Sequence, residues 1–548
     1  MPAMPLLSRL RLALFVLVPL ALASCGGGGG GGGGFSFFPF PPPPSPVAKY
    51  AVGGNVSGLQ GSGLVLQLAG AADVAVAANG AFVFSEKLDK GASYAVSVKQ
   101  QPSNPSQTCT VNNAAGTIGD ADVGNVAVVC ATTSQKVSVA VTGLDAAGGL
   151  VLQNNAGDDL AVSADGTFSF ATPVAVGADY GVTVKTQPTA LQVCIAKQAF
   201  GTVTTGPITS VTVACTTPGA DRLAYAPNEG TSNLTQYTVA PDGRLTGAGS
   251  FSVGTTPQHV AIHPGGKTLY VSNVGIKSIT QYSIDDSTAP PLLTQRQDIT
   301  ADVGTFPVFV GIEPHGKFAY GVGDGAIHRF SIDAATGHLS GGAAFPGAGG
   351  ARKLSFDPDG RFAFVPNSGS VSVYRLDPAT GDPISPPASV TQQFLQDIAI
   401  DPTGRFAYVD SSGPTSSAPG TLSAYAIDAT TGALTLIGSV PTGNSPFGLA
   451  VDPTGRFVYV ANRNVNQVSA YAIDPRTGAL APVPGQPFAT GSVPNSVTVD
   501  RTGRFAYTAN QADNTITFFT IDRNTGALGA GTNLPSGGGG PQFLALTK

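Results

Sequence analysis

Short apolar runs with two-residue alternation, punctuated by Asp, Asn, Pro and Gly, fill most of this chain. Segments such as Tyr94-Ala-Val96-Ser-Val98 predict half-buried strands, and Asn79-Gly80 and Asp165-Gly166 predict hairpin turns between them. From Asp221 onward a longer pattern recurs: an apolar strand, an Asp-Pro-x-Gly-Arg turn, a second strand ending near a tyrosine, a third strand, another turn and a weak fourth strand. The clearest copies are Asp401-Pro-Thr-Gly-Arg-Phe-Ala-Tyr408, Asp452-Pro-Thr-Gly-Arg-Phe-Val-Tyr459 and Asp500-Arg-Thr-Gly-Arg-Phe-Ala-Tyr507, with variants starting at His263, Glu313 and Asp357. A truncated copy, Asp221-Arg-Leu-Ala-Tyr225, opens the array. The aromatic anchors at 225, 270, 320, 364, 408, 459 and 507 lie 44 to 51 residues apart, which fits four short strands per unit. Asp and Pro early in the turns and Gly late are type I turn chemistry. The first copy lacks an opening strand, whereas Pro541-Gln-Phe-Leu-Ala-Leu546 matches Pro257-Gln-His-Val-Ala-Ile262. Pairing of 543–547 with 222–227 is therefore predicted to close the array into a ring and remove its open sheet edge. Seven such units over 218–548 predict a seven-bladed β-propeller.

A different repeat precedes it. Val56-Ser-Gly-Leu59 returns as Val141-Thr-Gly-Leu144, and Leu64-Val-Leu-Gln67 returns as Leu150-Val-Leu-Gln153. Cys109 and Cys130 return as Cys194 and Cys215. Two tandem sandwich domains are expected, over 49–132 and 133–217, of immunoglobulin-like or transthyretin-like type and serving as spacers or in adhesion. Each core is thin, so a covalent clip is useful: closing a loop of about 22 residues contributes on the order of 3 kcal/mol in the chain-entropy model. Bridges Cys109–Cys130 and Cys194–Cys215 are expected in an oxidising compartment. No C-x-x-C spacing supports a metal site in their place. The fold class is all-β, a propeller preceded by two small disulfide-clipped β-sandwiches.

Residues 1–24 read as an export signal: Arg9 and Arg11 precede the apolar run from Leu12 to Ala23, which is too short for a relaxed membrane span. The run ends Leu22-Ala-Ser-Cys25 and resembles a bacterial lipobox, which implies lipidation of Cys25. Residues 25–48, with nine consecutive glycines and a proline-rich stretch, suit a tether. Gly26 after the cysteine implies, by resemblance to Gram-negative lipoproteins, an outer-membrane protein at the periplasmic face or the cell surface. Composition adds one exclusion. Only 11% of residues are charged and the formal net charge is −5, so no basic surface for nucleic acid is expected. The expected partners are the membrane through the lipid anchor, and an envelope protein or a small lactone or carbohydrate ligand.

The blade phrases resemble the lactonase-type seven-bladed propeller family, which includes 6-phosphogluconolactonases, carboxymuconate-cyclising enzymes and YVTN-repeat propellers. The resemblance implies a site at strand ends around the central channel, with a Pro-Arg-His stretch followed about fifteen residues later by Asn-Glu. Here the matching stretches are Ala351-Arg352-Lys353 and Pro366-Asn367-Ser368. Arg352 and Asn367 match; Lys353 and Ser368 stand where the histidine and glutamate are expected. Opening a lactone with water needs a base and an oxyanion donor. Arg352, Lys353 and Asn367 are candidate ligand-binding residues. Aligning the blades puts His259, Phe309, Lys353, Asp397, Gly448, Ser496 and Phe543 at equivalent positions before the innermost strands. Arg352, His259, Asp397 and Glu229 are the candidate catalytic residues. His259 and His263, four apart on a strand, are too distant to share a metal ion, and His263 takes the turn-aspartate position. No metal and no cofactor are expected. A binding or scaffolding module on the envelope is favoured over a lactone hydrolase with a rebuilt site.

Overall fold

The computed structural model describes residues 47–547, apart from 146–148, 189–190, 219–222, 286, 289–290, 300–305, 324–325, 347–349 and 385–387. The expected export signal, Cys25 and nearly all of the expected tether lie outside the described residues.

Seven four-stranded antiparallel units form the C-terminal array, one of them with a short extra strand. In blade two the strands run Pro257–Ile262, Thr268–Asn273, Ser278–Asp285 and Leu292–Ile299, from the inside outward. Blade one is completed from the far end of the chain: Ala545–Leu546 pairs with Leu223–Asn228, setting Ala224 against Leu546 and Tyr225 against Ala545. Leu544 is fully buried in the layer between blades one and seven.

The blade motif acts mainly on its neighbour. Tyr459 and Tyr507 are completely buried on second strands, and each donates its hydroxyl to a glycine carbonyl in the outer turn of the next blade: Tyr459 to Gly526 (2.9 Å) and Tyr507 to Gly243 (2.5 Å). Tyr270, Tyr320 and Tyr408 do the same to Gly337, Gly381 and Gly478. Gly526 has φ 75°, and a Cβ there would lie 2.3 Å from the Phe457 ring of the preceding blade, so the turn needs glycine for its backbone and for the close approach. The arginine of the turn adds a second grip: Arg456 stacks on Phe457 and donates to the carbonyls of Arg523 (3.0 Å) and Asn524 (3.1 Å). Asp452 accepts backbone N–H bonds from Thr454, Arg456 and Phe457 and shapes the turn from within. His263 fills this role in blade two, with Nδ1 accepting from Gly265 N–H (2.9 Å).

Each sandwich has two four-stranded sheets whose first and last strands pair in parallel, as in Lys49–Ser57 with Val123–Thr132. Leu64, Leu66 and Phe84 fill the first core, and Leu150, Leu152 and Phe170 fill the second. Both predicted disulfides are formed. Cys109 and Cys130 face each other on adjacent strands, so the bridge staples an edge strand within one sheet and does not join the two layers.

The second sandwich sits on the propeller face that carries the Asp-Pro-x-Gly-Arg turns. Arg476 holds the Asp179 carboxylate (3.0 Å) and the Tyr180 carbonyl (2.9 Å), and Arg523 holds the Gln192 carbonyl (2.9 Å). The Phe200 ring lies 4.8 Å from the Arg405 guanidinium.

Urea unfolding of the full chain should rank two substitutions. Leu544→Ala, at the ring closure, is expected to lower propeller stability by about 2–5 kcal/mol. Tyr459→Phe, which strands a buried carbonyl, is expected to cost about 1–3 kcal/mol.

Candidate functional site

Inner strands begin at the face opposite the sandwiches, and in four blades a β-bulge there turns one residue of the strand toward the channel. The register breaks between Pro257 and His259, Leu395 and Ile398, Pro446 and Gly448, and Pro494 and Ser496. The aligned ring of the sequence is therefore a ring in space. The His259 imidazole sits between Phe309 (4.1 Å between centroids) and Phe543 (4.3 Å). Next to them, Lys353 forms an ion pair with Asp397 at 2.5 Å. Above the ring a cavity of about 130 Å3 is lined by Gln258, His259, Arg352, Lys353, Asn495 and Gln542, with Phe309, Phe447 and Phe543 as apolar walls.

Only 7% of His259 is accessible. Burial, reinforced by the Lys353 charge and opposed by a backbone hydrogen bond with Val310, lowers its pKa to about 3, so the ring is neutral. Its Nδ1 has no partner.

Asp397 is fully occupied. One oxygen accepts from the Ile398 N–H (2.8 Å), and the other from the Leu449 N–H of blade six (2.9 Å) and from Lys353. Beneath it, wholly buried Asp410 accepts the Asp397 N–H through Oδ1 (2.6 Å), while its Oδ2 has no partner. Burial and then the Asp397 charge push the Asp410 carboxyl well above the usual range, outweighing Lys353. The raised Asp410 carboxyl favours its neutral form, which leaves the Lys353–Asp397 pair as the charged part of the cluster.

The cationic groups at the mouth are arginines. Arg352 is exposed and has no hydrogen bond or ion pair among the described residues. Arg463 stacks on Phe447 (4.4 Å) and donates to Gln511 (2.9 Å). Burial lowers its pKa, Arg352 adds to that and Glu229 opposes it. Glu229 stands at the rim of the cavity, accepting from Gln542 (2.7 Å), which in turn accepts from Asn495. Asn367 is placed elsewhere. Its amide donates to Ser372 (3.2 Å) and accepts the Ser370 N–H (2.9 Å), as part of a buried Asn–Ser/Thr pairing that recurs at Asn228, Asn273, Asn462 and Asn510.

Arg352, His259 and Lys353 therefore meet at one cavity, Asp397 supports Lys353 from below, Glu229 reaches the cavity through Gln542, and Asn367 shapes a turn. Sequence reading missed Asp410, Arg463 and Asn495. Asp410 had a signal: two residues after each blade anchor the chain carries Pro227, Ser272, Val322, Pro366, Ala461 or Ala509, and Asp410 alone is acidic. Ser272 shows what the position does, since its hydroxyl accepts the His259 N–H as Asp410 accepts that of Asp397. Among the described residues no group of three or more His, Cys, Asp or Glu side chains is arranged to hold a metal ion.

A family profile described as "Lactonase, 7-bladed beta-propeller" matches residues 216–490. No curated protein matches the chain. Among solved structures, one from Bacteroides uniformis named as a candidate 6-phosphogluconolactonase shares 18% identity at TM-score 0.52, covering 60% of this chain and all of that one. A protein from Lactobacillus plantarum shares 21% at TM-score 0.52, covering 60% of this chain and 100% of its own. The periplasmic gluconolactonase of Pseudomonas aeruginosa shares 22% at TM-score 0.50, covering 59% and 99%. At these identities the likeness is one of fold.

Two predictions concern charge. Asp397→Asn leaves Lys353 without a counter-ion and should lower stability by about 3–5 kcal/mol, whereas Asp410→Asn keeps the acceptor for the Asp397 N–H and should be tolerated. The folded Asp410 binds its proton more tightly than the unfolded chain does, so its contribution is lost as pH rises through the raised value. Denaturation at pH 5 and pH 8 should find Asp410→Asn matching or exceeding the parent at pH 8. For His259 the sign is opposite: the unfolded chain takes up the proton first, so stability falls as pH drops from about 6.5 toward 3. NMR should find a neutral His259 imidazole at pH 5.

Proposed function

We propose, for a chain that belongs to the seven-bladed lactonase β-propeller family, that the channel mouth binds a small polyhydroxylated carboxylate and does not hydrolyse it. The observation that carries this reading is the state of the basic groups. Asp397 has both oxygens filled, Asp410 holds its proton, and His259 is a weak, neutral base between two rings. The remaining carboxylate, Glu229, stands at the rim, where it accepts from Gln542 and does not line the cavity, so water inside meets no free base. A ligand meets the unpaired Arg352 guanidinium, which matches a carboxylate in geometry and charge. The Gln258 amide in the cavity lining suits a hydroxyl group. The apolar rings of Phe309, Phe447 and Phe543 suit the C–H face of a sugar-like chain.

The same proposal places the protein on the cell envelope, exported by residues 1–24 and lipidated at Cys25, with the tether and sandwiches as a stalk. The signal-like start and the two disulfides support this. Because the second sandwich seats on the turn face, the stalk approaches the propeller from the side opposite the channel mouth. The ligand site would then face away from the membrane. Lactone hydrolysis is the second reading, favoured by the convergence of Arg352, His259 and Lys353 on one cavity.

Titration calorimetry with a panel of sugar acids and their lactones, run beside a hydrolysis assay, separates the two. Binding is expected without turnover, and Arg352→Ala is expected to weaken carboxylate binding by about tenfold or more, the value of one charged hydrogen bond. Turnover lost in both Arg352→Ala and His259→Ala would establish an enzyme.

A further inference from the structure

The propeller repeats its surface as well as its core, and one repeat of that surface is occupied. Where the turns of blades five and six meet, the Arg405 guanidinium lies between two rings, Phe406 of its own blade (4.7 Å) and Phe200 of the second sandwich (4.8 Å). Asp179, on the strand paired with that of Phe200, binds Arg476 at the rim. Two blades earlier the same groove is open. Phe318 stands for Phe406, Arg361 and Phe362 for Arg456 and Phe457, and Pro378 for Pro475; Lys317 stands for Arg405. The open groove encloses about 550 Å3. On its border, Ile384 leaves 54% of its surface exposed.

Spare charge at the open groove is positive. Glu313 is buried and spent on the backbone N–H groups of His315 and Lys317, Asp377 on those of Ala379 and Thr380, and Asp359 pairs with Arg361 (3.5 Å). The side chains of Lys317 and Arg375 are exposed and have no hydrogen bond or ion pair among the described residues.

We propose that the groove between blades three and four is a docking site for another protein's sheet edge that presents an aromatic side chain beside a carboxylate. The groove between blades five and six shows how such an edge is held: the ring enters between the turns and stacks on the cation, and the acid reaches a cation at the rim. Among the described residues this chain has no free edge of that kind. The second sandwich's is already seated. In the first sandwich the equivalent edge carries Ala115 where the second has Phe200, and Ser93 where it has Asp179. The occupant therefore comes from a different protein, and at this face it would lie on the stalk side of the propeller. The proposal is independent of the ligand at the channel mouth, which lies on the opposite face.

The test uses the full chain and two short peptides, N-acetyl-Asp-Phe-Gly-Thr amide and N-acetyl-Ser-Ala-Gly-Thr amide, which mimic the edges of the second and first sandwiches. Saturation-transfer NMR should find the aromatic acidic peptide bound at millimolar concentration and the other unbound. Lys317→Glu with Arg375→Glu should weaken the binding by about tenfold, and Ile384→Glu, exposed and remote from the core, should do likewise. Equal binding of both peptides, no binding of either, or binding unchanged in both variants overturns the proposal. A dimer of the full chain in sedimentation that these variants dissociate would also overturn it, by giving the groove to a second copy.

Discussion

Everything in the propeller depends on how one blade holds the next. In five blades a buried tyrosine hydroxyl, and in three a turn arginine, reaches backbone carbonyls in the outer turn of the next blade, and that turn can approach only because a glycine sits at its tip, whereas the Tyr225 hydroxyl of blade one finds no partner among the described residues. The bonds run in one rotational sense, from Tyr270 to Gly337 and onward until Tyr507 reaches Gly243 across the seam. Four-stranded antiparallel sheets have bare edges and two exposed faces, and are marginal alone. Stacking buries both faces, and the polar grips set the angle between blades. Blade four varies the scheme with Phe364, which keeps the ring and gives up the hydroxyl.

Because the stack is rigid at its outer turns, inner strands can afford irregularity at the opposite end. Bulges in four blades, with regular strand starts in the others, bring one position per blade to the channel, and a mixed set of rings and charges results. Charge must balance locally where water is scarce. Lys353 is matched by Asp397, and burial together with the Asp397 charge raises the Asp410 carboxyl well above its usual range. The cluster lies below the cavity, and Arg352 lines the cavity above it.

The two sandwiches are equal in core and unequal in surface. Both keep the leucine pairs, the buried phenylalanine and the edge-strand bridge, which serve their own stability. Only the second carries Phe200 and Asp179, and these face the propeller. The repeat thus separates what a sandwich needs in order to fold from what it needs in order to dock. Arg405, which grips the next blade's turn, and Arg476 together form the seat for the sandwich's ring and carboxylate.

Much was legible in one dimension. Spacing of the turn and tyrosine motif set the number of blades, since both faces of every sheet must be buried, and the orphan strand at 541–546 pointed to ring closure. Cysteine spacing pointed to the bridges. The ring of His259, Phe309, Lys353, Asp397 and Phe543 followed from aligning blades, because identical folds put identical positions at identical radii. What remained hidden was chemical state and partnership. That Asp397 is filled, that His259 lies between two rings, that Asn367 shapes a turn and that Phe200 seats on Arg405 all depend on contacts between residues distant along the chain. Local sequence determines strands and turns because they are held by near neighbours. Protonation, exposure and docking are decided by burial and by the field of distant charges, and these exist only once the blades have closed.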